Sequence, residues 1–223
     1  SHEEINNNKE IVKKIDINFI SINLVLYLKS KIHKIMKLKY LISGLLIILI
    51  SLTASAQKRT IAGVQFPSTV KIGNATTMYN GGGLREKYTL DLYAGALYLK
   101  RPSKSASKII MDDAPMGIRI VIVSKKVTRD KFNTAVKEGF ENSNTGKATK
   151  ENINSFMTFY SDEFKINDVL IISYQPGKGV SFSKNGKQRG VITGLAFKQA
   201  LFGIWLGDKP ADSSLKDDML GKI

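Results

Sequence analysis

From residue 60 onward the chain alternates period-two hydrophobic runs with runs at helical spacing. Residues 60–73 predict two strand-like pieces broken at Pro67. Residues 80–83 read as a turn, because three consecutive glycines follow Asn80. Residues 84–99 read as one extended segment, with Leu90, Leu92, Ala94, Ala96 and Tyr98 alternating on one face. A short helix is expected within 103–112, stopped before Pro115. In 117–124, Ile118, Ile120 and Ile122 alternate with Arg119, Val121 and Val123, the pattern of a strand buried largely on both sides.

Two helices should follow. Thr128 is a good N-cap for a helix on which Phe132, Ala135, Val136 and Phe140 recur at helical spacing. Ile153, Phe156, Met157 and Tyr160 make a similar stripe on the next. Residues 168–174 are strand-like, and 179–193 predict a hairpin around Asn185-Gly186, a pair suited to the positive φ angles of a type I′ turn. Thr193 is expected to cap a helix carrying Phe197, Leu201, Ile204 and Trp205 on one face, ended by Gly207 and kept from continuing by Pro210. A last short helix covers 213–220. Strands first, two central helices, a hairpin and a C-terminal helix define an α+β domain, one large antiparallel sheet with helices packed on a face.

The first quarter has another character. Met36 is the first methionine. Lys37 and Lys39, the apolar run 41–52 and Ala54-Ser55-Ala56 reproduce the three parts of a secretory signal. The run is short of the ~20 residues a membrane-spanning helix needs. Cleavage after Ala56 is expected, giving a periplasmic or secreted protein that begins at Gln57, with a retained anchor as the other reading. Residues 1–35 are read as an upstream extension outside the natural protein or without order, 36–56 as the signal peptide and 57–223 as one domain.

Charge and composition narrow the chemistry. Eight lysines against four acidic residues precede Gln57, which leaves +11 of the chain's +15 in the domain. Lys71, Lys87, Lys108, Arg119, Lys137, Lys165 and Lys198 are scattered singly. That distribution indicates a solvated basic surface and no nucleic-acid partner, and it leaves peripheral contact with a membrane open. Cysteine is absent, and the only histidines are His2 and His33. Thiol and Ser-His-Asp chemistry, thiolate metal sites and the common zinc sites are thereby excluded, and no metal or cofactor is expected. Asp112-Asp113 and Asp217-Asp218 read as solvated helix-end charges.

What remains is an arginine and a phenol in apolar, strand-forming sequence: Gly83-Leu84-Arg85 and Tyr93-Ala94-Gly95-Ala96-Leu97-Tyr98. Arg85 could equally pair with Asp91, Glu86 or another carboxylate at a sheet rim. Together with Tyr174-Gln175-Pro176-Gly177, Asn185-Gly186 and the run 202–210, these motifs resemble the bacterial, exported branch of the chalcone isomerase-like superfamily. The resemblance covers nearly all of 63–221 and implies an open-faced β-sandwich. In the enzymes of that superfamily an arginine matching Arg85 binds the substrate oxyanion. Where they carry threonine this chain has Tyr93, as in the fatty-acid-binding members, in which arginine and tyrosine hold a carboxylate. The positions of their catalytic Tyr, Lys and Asn become Phe132, Ala135 and Gly139.

The resemblance therefore implies a non-catalytic binder of a fatty acid or similar lipophilic carboxylate. Arg85 and Tyr93 would hold the headgroup, and Phe132, Ala135, Gly139 and Phe140 would line the pocket. An isomerase or lyase acting on an enone through Arg85, and an exported interaction module without a small ligand, are the alternatives. No protein partner is indicated. One spacing stands against a shared clamp: eight residues of straight strand would part Arg85 from Tyr93 by roughly 26 Å. The clamp needs a bend or bulge between Lys87 and Asp91.

Overall fold

The computed structural model describes residues 28–29, 31–37, 39 and 59–222. The chain divides into two compact units, Ser1–Ser55 and Ala56–Ile223. In the first, residues 31–37 are helical (α1). The signal-like run 41–52 and its cleavage motif lie outside the described residues. Among the described residues no helix is long and apolar enough to cross a membrane.

The second unit is built on a seven-stranded meander: β3 (Thr69–Ile72), β4 (Ala75–Lys87), β5 (Leu90–Leu99), β6 (Met116–Ile122), β7 (Val169–Gln175), β8 (Gly179–Lys184) and β9 (Lys187–Ile192). Spatial order equals sequence order, and every neighbouring pair is antiparallel. Helices α2 (Ala106–Met111), α3 (Arg129–Asn142), α4 (Lys150–Thr158), α5 (Leu195–Leu206) and α6 (Ser213–Met219) complete it. Period two sorts the sheet's faces. Ile118, Ile120 and Ile122 join the helices in the main core, whereas Val121, Ala94, Ala96 and Tyr98 face the other way. There they meet Phe66 from the small hairpin β1 (Arg59–Ile61) and β2 (Val64–Phe66). The fold is α+β, a curled antiparallel sheet with helices on one face, as the sequence pattern predicts.

Three local expectations are corrected. Residues 80–83 are not a turn but the middle of β4. The glycines admit α6: a Cβ on Gly81 would stand 2.1 Å from the Asp218 carbonyl oxygen, and one on Gly83 would run into the Asp218 carboxylate. Residues 84–99 are not one strand but two, folded back at Tyr88-Thr89, where Lys87 pairs with Leu90. Tyr88 takes φ +59° there, and none of the usual Gly, Asn or Asp marks the turn. Finally, Gly194 rather than Thr193 occupies the N-cap of α5 and makes no side-chain cap.

Helix α5 is buried almost all round, beyond the single stripe expected of it, and Lys198 is buried with it. The scattered basic residues are therefore not all surface. The Lys198 ammonium has three N–H donors, and it uses them on the carbonyls of Ile109 (2.8 Å), Ile110 (2.6 Å) and Asp112 (2.8 Å) at the end of α2. Arg119 is half-buried on the opposite face of the sheet, with its guanidinium 5.2 Å from the Phe66 ring centre.

Candidate functional site

The fold-back at Tyr88-Thr89 creates the site. It turns the eight-residue separation of Arg85 and Tyr93 into a direct cross-strand pairing. Side chains opposed in this way stand on the same face with Cβ atoms ~5 Å apart. The clamp that a straight strand forbids is thus supplied by a hairpin, with a register shift between Arg85 and Glu86.

Both side chains border a cavity of about 680 Å³ between the β4–β5 tip, α3 and the end of α5. Leu92, Val127, Phe132 and Ile204 contribute apolar wall. Ala135 and Gly139 also line it. Gly139 adds no room, however, because Ile204 fills the space its side chain would take: a Cβ there would lie 2.6 Å from Ile204 Cγ2. Phe140 is elsewhere. It turns into the core against Phe156 and Phe197 and does not border the cavity. A helix repeat of 3.6 residues places positions 132, 135, 136 and 139 along the cavity side and 140 beyond it.

Tyr93 is buried, and its phenol oxygen accepts a hydrogen bond from Trp205 Nε1 at 3.0 Å. Indole nitrogen only donates, so the phenol's own proton stays available to an acceptor in the cavity. Burial is the main cause that raises the Tyr93 pKa, with the Asp212 charge adding to it, against the Trp205 bond and Arg85. The group therefore stays a neutral donor. Neither Trp205 nor Asp212 stands out as a site residue in the sequence. The cue for Trp205 is that a buried indole N–H needs an acceptor.

Arg85 is mostly buried and already engaged. Its Nη1 donates to Asp212 Oδ2 at 2.9 Å and to the backbone oxygen of Glu86. Asp212 does double duty, since its Oδ1 accepts from Leu215 N at 3.0 Å as the N-cap of α6. Arg85 does pair with a carboxylate, as the sequence alternative has it, but the partner is neither Asp91 nor Glu86: it is Asp212, 127 residues away. The guanidinium has five N–H groups in a planar fork, so a second acceptor can be received beside Asp212 or in its place.

Comparison with known proteins agrees with this architecture. A family model described as chalcone isomerase-like matches residues 58–221. The chain belongs to the chalcone isomerase-like family. Among solved structures it is similar to the crystal structure of the Arabidopsis thaliana fatty-acid binding protein AtFAP1, at 22% identity and a TM-score of 0.60. The likeness covers 74% of this chain and 97% of that one. No curated protein matches.

Proposed function

We propose that the domain binds a long-chain carboxylic acid without transforming it, with the headgroup on Arg85 and the Tyr93 hydroxyl and the tail in the cavity. The observation that carries this reading is the cross-strand pairing of a guanidinium and a free phenolic donor beside a largely apolar space. The volume suits a small-molecule site, for which ~300–1,000 Å³ is usual. Burial of the tail drives binding at ~25 cal/mol per Å² of apolar surface, and Arg85 adds charge-assisted hydrogen bonds to the head. A non-catalytic role is supported at the three α3 positions that hold Phe132, Ala135 and Gly139, which carry no proton donor, although Lys131, Thr134 and Asn142 of the same helix also border the cavity. The likeness to a plant fatty-acid binding protein points the same way. Calorimetric titration with palmitate is the test.

A ligand carboxylate must contend with Asp212. Asp212→Asn keeps an N-cap for α6 while removing the competing charge. Palmitate affinity is expected to rise at least about fivefold, within the ~1–4 kcal/mol range for relieving a mostly buried ion pair. A fall in affinity would mean that Asp212 orients Arg85 for the ligand instead of competing with it.

Export is part of the proposal. The sequence of Lys37 and Lys39, an apolar run and Ala54-Ser55-Ala56 supports cleavage after Ala56 and a periplasmic or secreted protein. N-terminal sequencing of the natural protein should begin at Gln57. Recovery with residues 41–52 attached would favour a membrane-anchored form.

A further inference from the structure

The mouth of the cavity carries a second pattern, which the headgroup reading does not use. Tyr88 and Leu90 sit at the β4–β5 tip; Tyr88 is 92% exposed and Leu90 44%. Tyr88 also holds φ +59°, a conformation that side-chain-bearing residues seldom adopt. Among the described residues its ring makes no aromatic contact and its hydroxyl no hydrogen bond, so the folded domain gains little from a tyrosine there. Around this tip stand Lys87, Lys126, Lys131 and Lys209, all exposed, from four different segments. Each of the four ammonium groups is free of carboxylate partners among the described residues. Of the two acidic residues that line the same mouth, Asp130 is taken up by Arg129 at 3.3 Å and Glu138 has no ion pair among the described residues; Glu86 and Asp91, opposed across the tip, and Asp208 beside Lys209 are exposed as well.

We infer that this rim docks the domain on an anionic phospholipid bilayer, with Tyr88 and Leu90 entering the headgroup region and the four lysines lying against lipid phosphates. An exposed tyrosine beside an aliphatic side chain suits the polar–apolar boundary of a bilayer. Long lysine stems reach phosphates while their methylenes stay at that boundary. Charge complementarity favours an anionic surface, since the four lysines are free of carboxylate partners and the domain as a whole carries +11. Docked in this way, the cavity opens toward the bilayer. That a lipophilic acid would then be exchanged directly with the membrane rests on the carboxylate reading above; the docking itself does not.

The test is vesicle sedimentation of the chain from Gln57 onward, the compact unit that contains the whole described core. Phosphatidylcholine vesicles are compared with vesicles containing one-quarter phosphatidylglycerol, with no fatty acid present. Partitioning onto the anionic vesicles should exceed that onto neutral ones by about tenfold or more and should fall steeply between 0.05 and 0.5 M salt, as expected for unburied charges. Tyr88→Asn with Leu90→Ser, chosen because asparagine tolerates the positive φ, should lose about tenfold. Lys87→Gln with Lys126→Gln and Lys209→Gln should lose at least as much, and unchanged thermal melting would show that both variants are folded. Parent protein that stays in the supernatant, equal binding to the two kinds of vesicle, or variants that sediment like the parent would each overturn the inference. A failed palmitate titration would leave the vesicle result standing, and a failed vesicle assay would leave the headgroup site standing.

Discussion

Arg85→Ala is expected to lose palmitate affinity by about two to three orders of magnitude while the domain stays folded. The guanidinium lies in a mostly buried position beside Tyr93, and removing one member of a desolvated charge pair costs ~3–5 kcal/mol. The loss has a second part, because Asp212 would remain as an unpaired carboxylate facing the incoming head. Arg85→Ala combined with Asp212→Asn separates the two, and it should recover part of the affinity. Arg85→Lys keeps the charge but not the planar fork, so only part of the binding should return. Tyr93→Phe removes one donor and should cost ~0.5–3 kcal/mol; it also leaves the Trp205 N–H without its acceptor. Calorimetry on these variants reads all four effects. Arg85→Ala that binds like the parent would make Arg85 a structural residue tied to Asp212 and nothing more.

The largest expected effect on stability lies away from the site, at Lys198→Met. The substitution nearly conserves volume but strips three carbonyls at the end of α2 of their donor. Buried polar groups left unpaired cost ~1–3 kcal/mol each, and partial relaxation should leave a net loss of ~3 kcal/mol. For a domain of this size that lowers Tm by about 6–12 °C, measurable by calorimetric melting. A variant as stable as the parent would show that water replaces the ammonium without penalty.

The same lysine makes a pH signature. Burial pushes its pKa down to about 8, against the opposing charges of Asp112 and Asp113, while an unfolded lysine titrates near ~10.4. Between those values the unfolded chain holds more protons than the folded one, so this group makes stability rise with pH from about 8 to ~10.4. The gain is complete above the upper value and is lost as pH falls through the lower. Lys198→Met should flatten that part of the profile.

The strands and helices with strong local signals were readable in advance. Thr128 caps α3, accepting from Lys131 N, and Asn185-Gly186 turns β8 into β9 with φ of 52° and 79°. Misreadings came where tertiary contact overrides local preference. Gly81 and Gly83 resemble a turn because glycine is rare in strands, yet they are glycine because the backbone and side chain of α6 sit where their Cβ atoms would be. The turn at Tyr88-Thr89 has none of the usual turn residues, and only the bend that a shared clamp requires between Lys87 and Asp91 points to it. Without that turn, a straight strand would set Arg85 and Tyr93 too far apart for a shared ligand. Asp212 could not be foreseen at all, since nothing in sequence links residue 85 to a helix cap 127 positions later. Of the wall positions expected on α3, Phe140 fails because its direction is set by packing against α4 and α5.

The central claim is that the cavity recognises a carboxylate head on a long apolar tail. Parallel titrations of the domain with palmitate and with hexadecanol test it most directly, because the tails match and only the head differs. The account predicts saturable one-to-one binding of palmitate and affinity for hexadecanol weaker by a hundredfold or more, the difference vanishing in Arg85→Ala. Equal affinity for the two ligands, or no binding of palmitate, would contradict it.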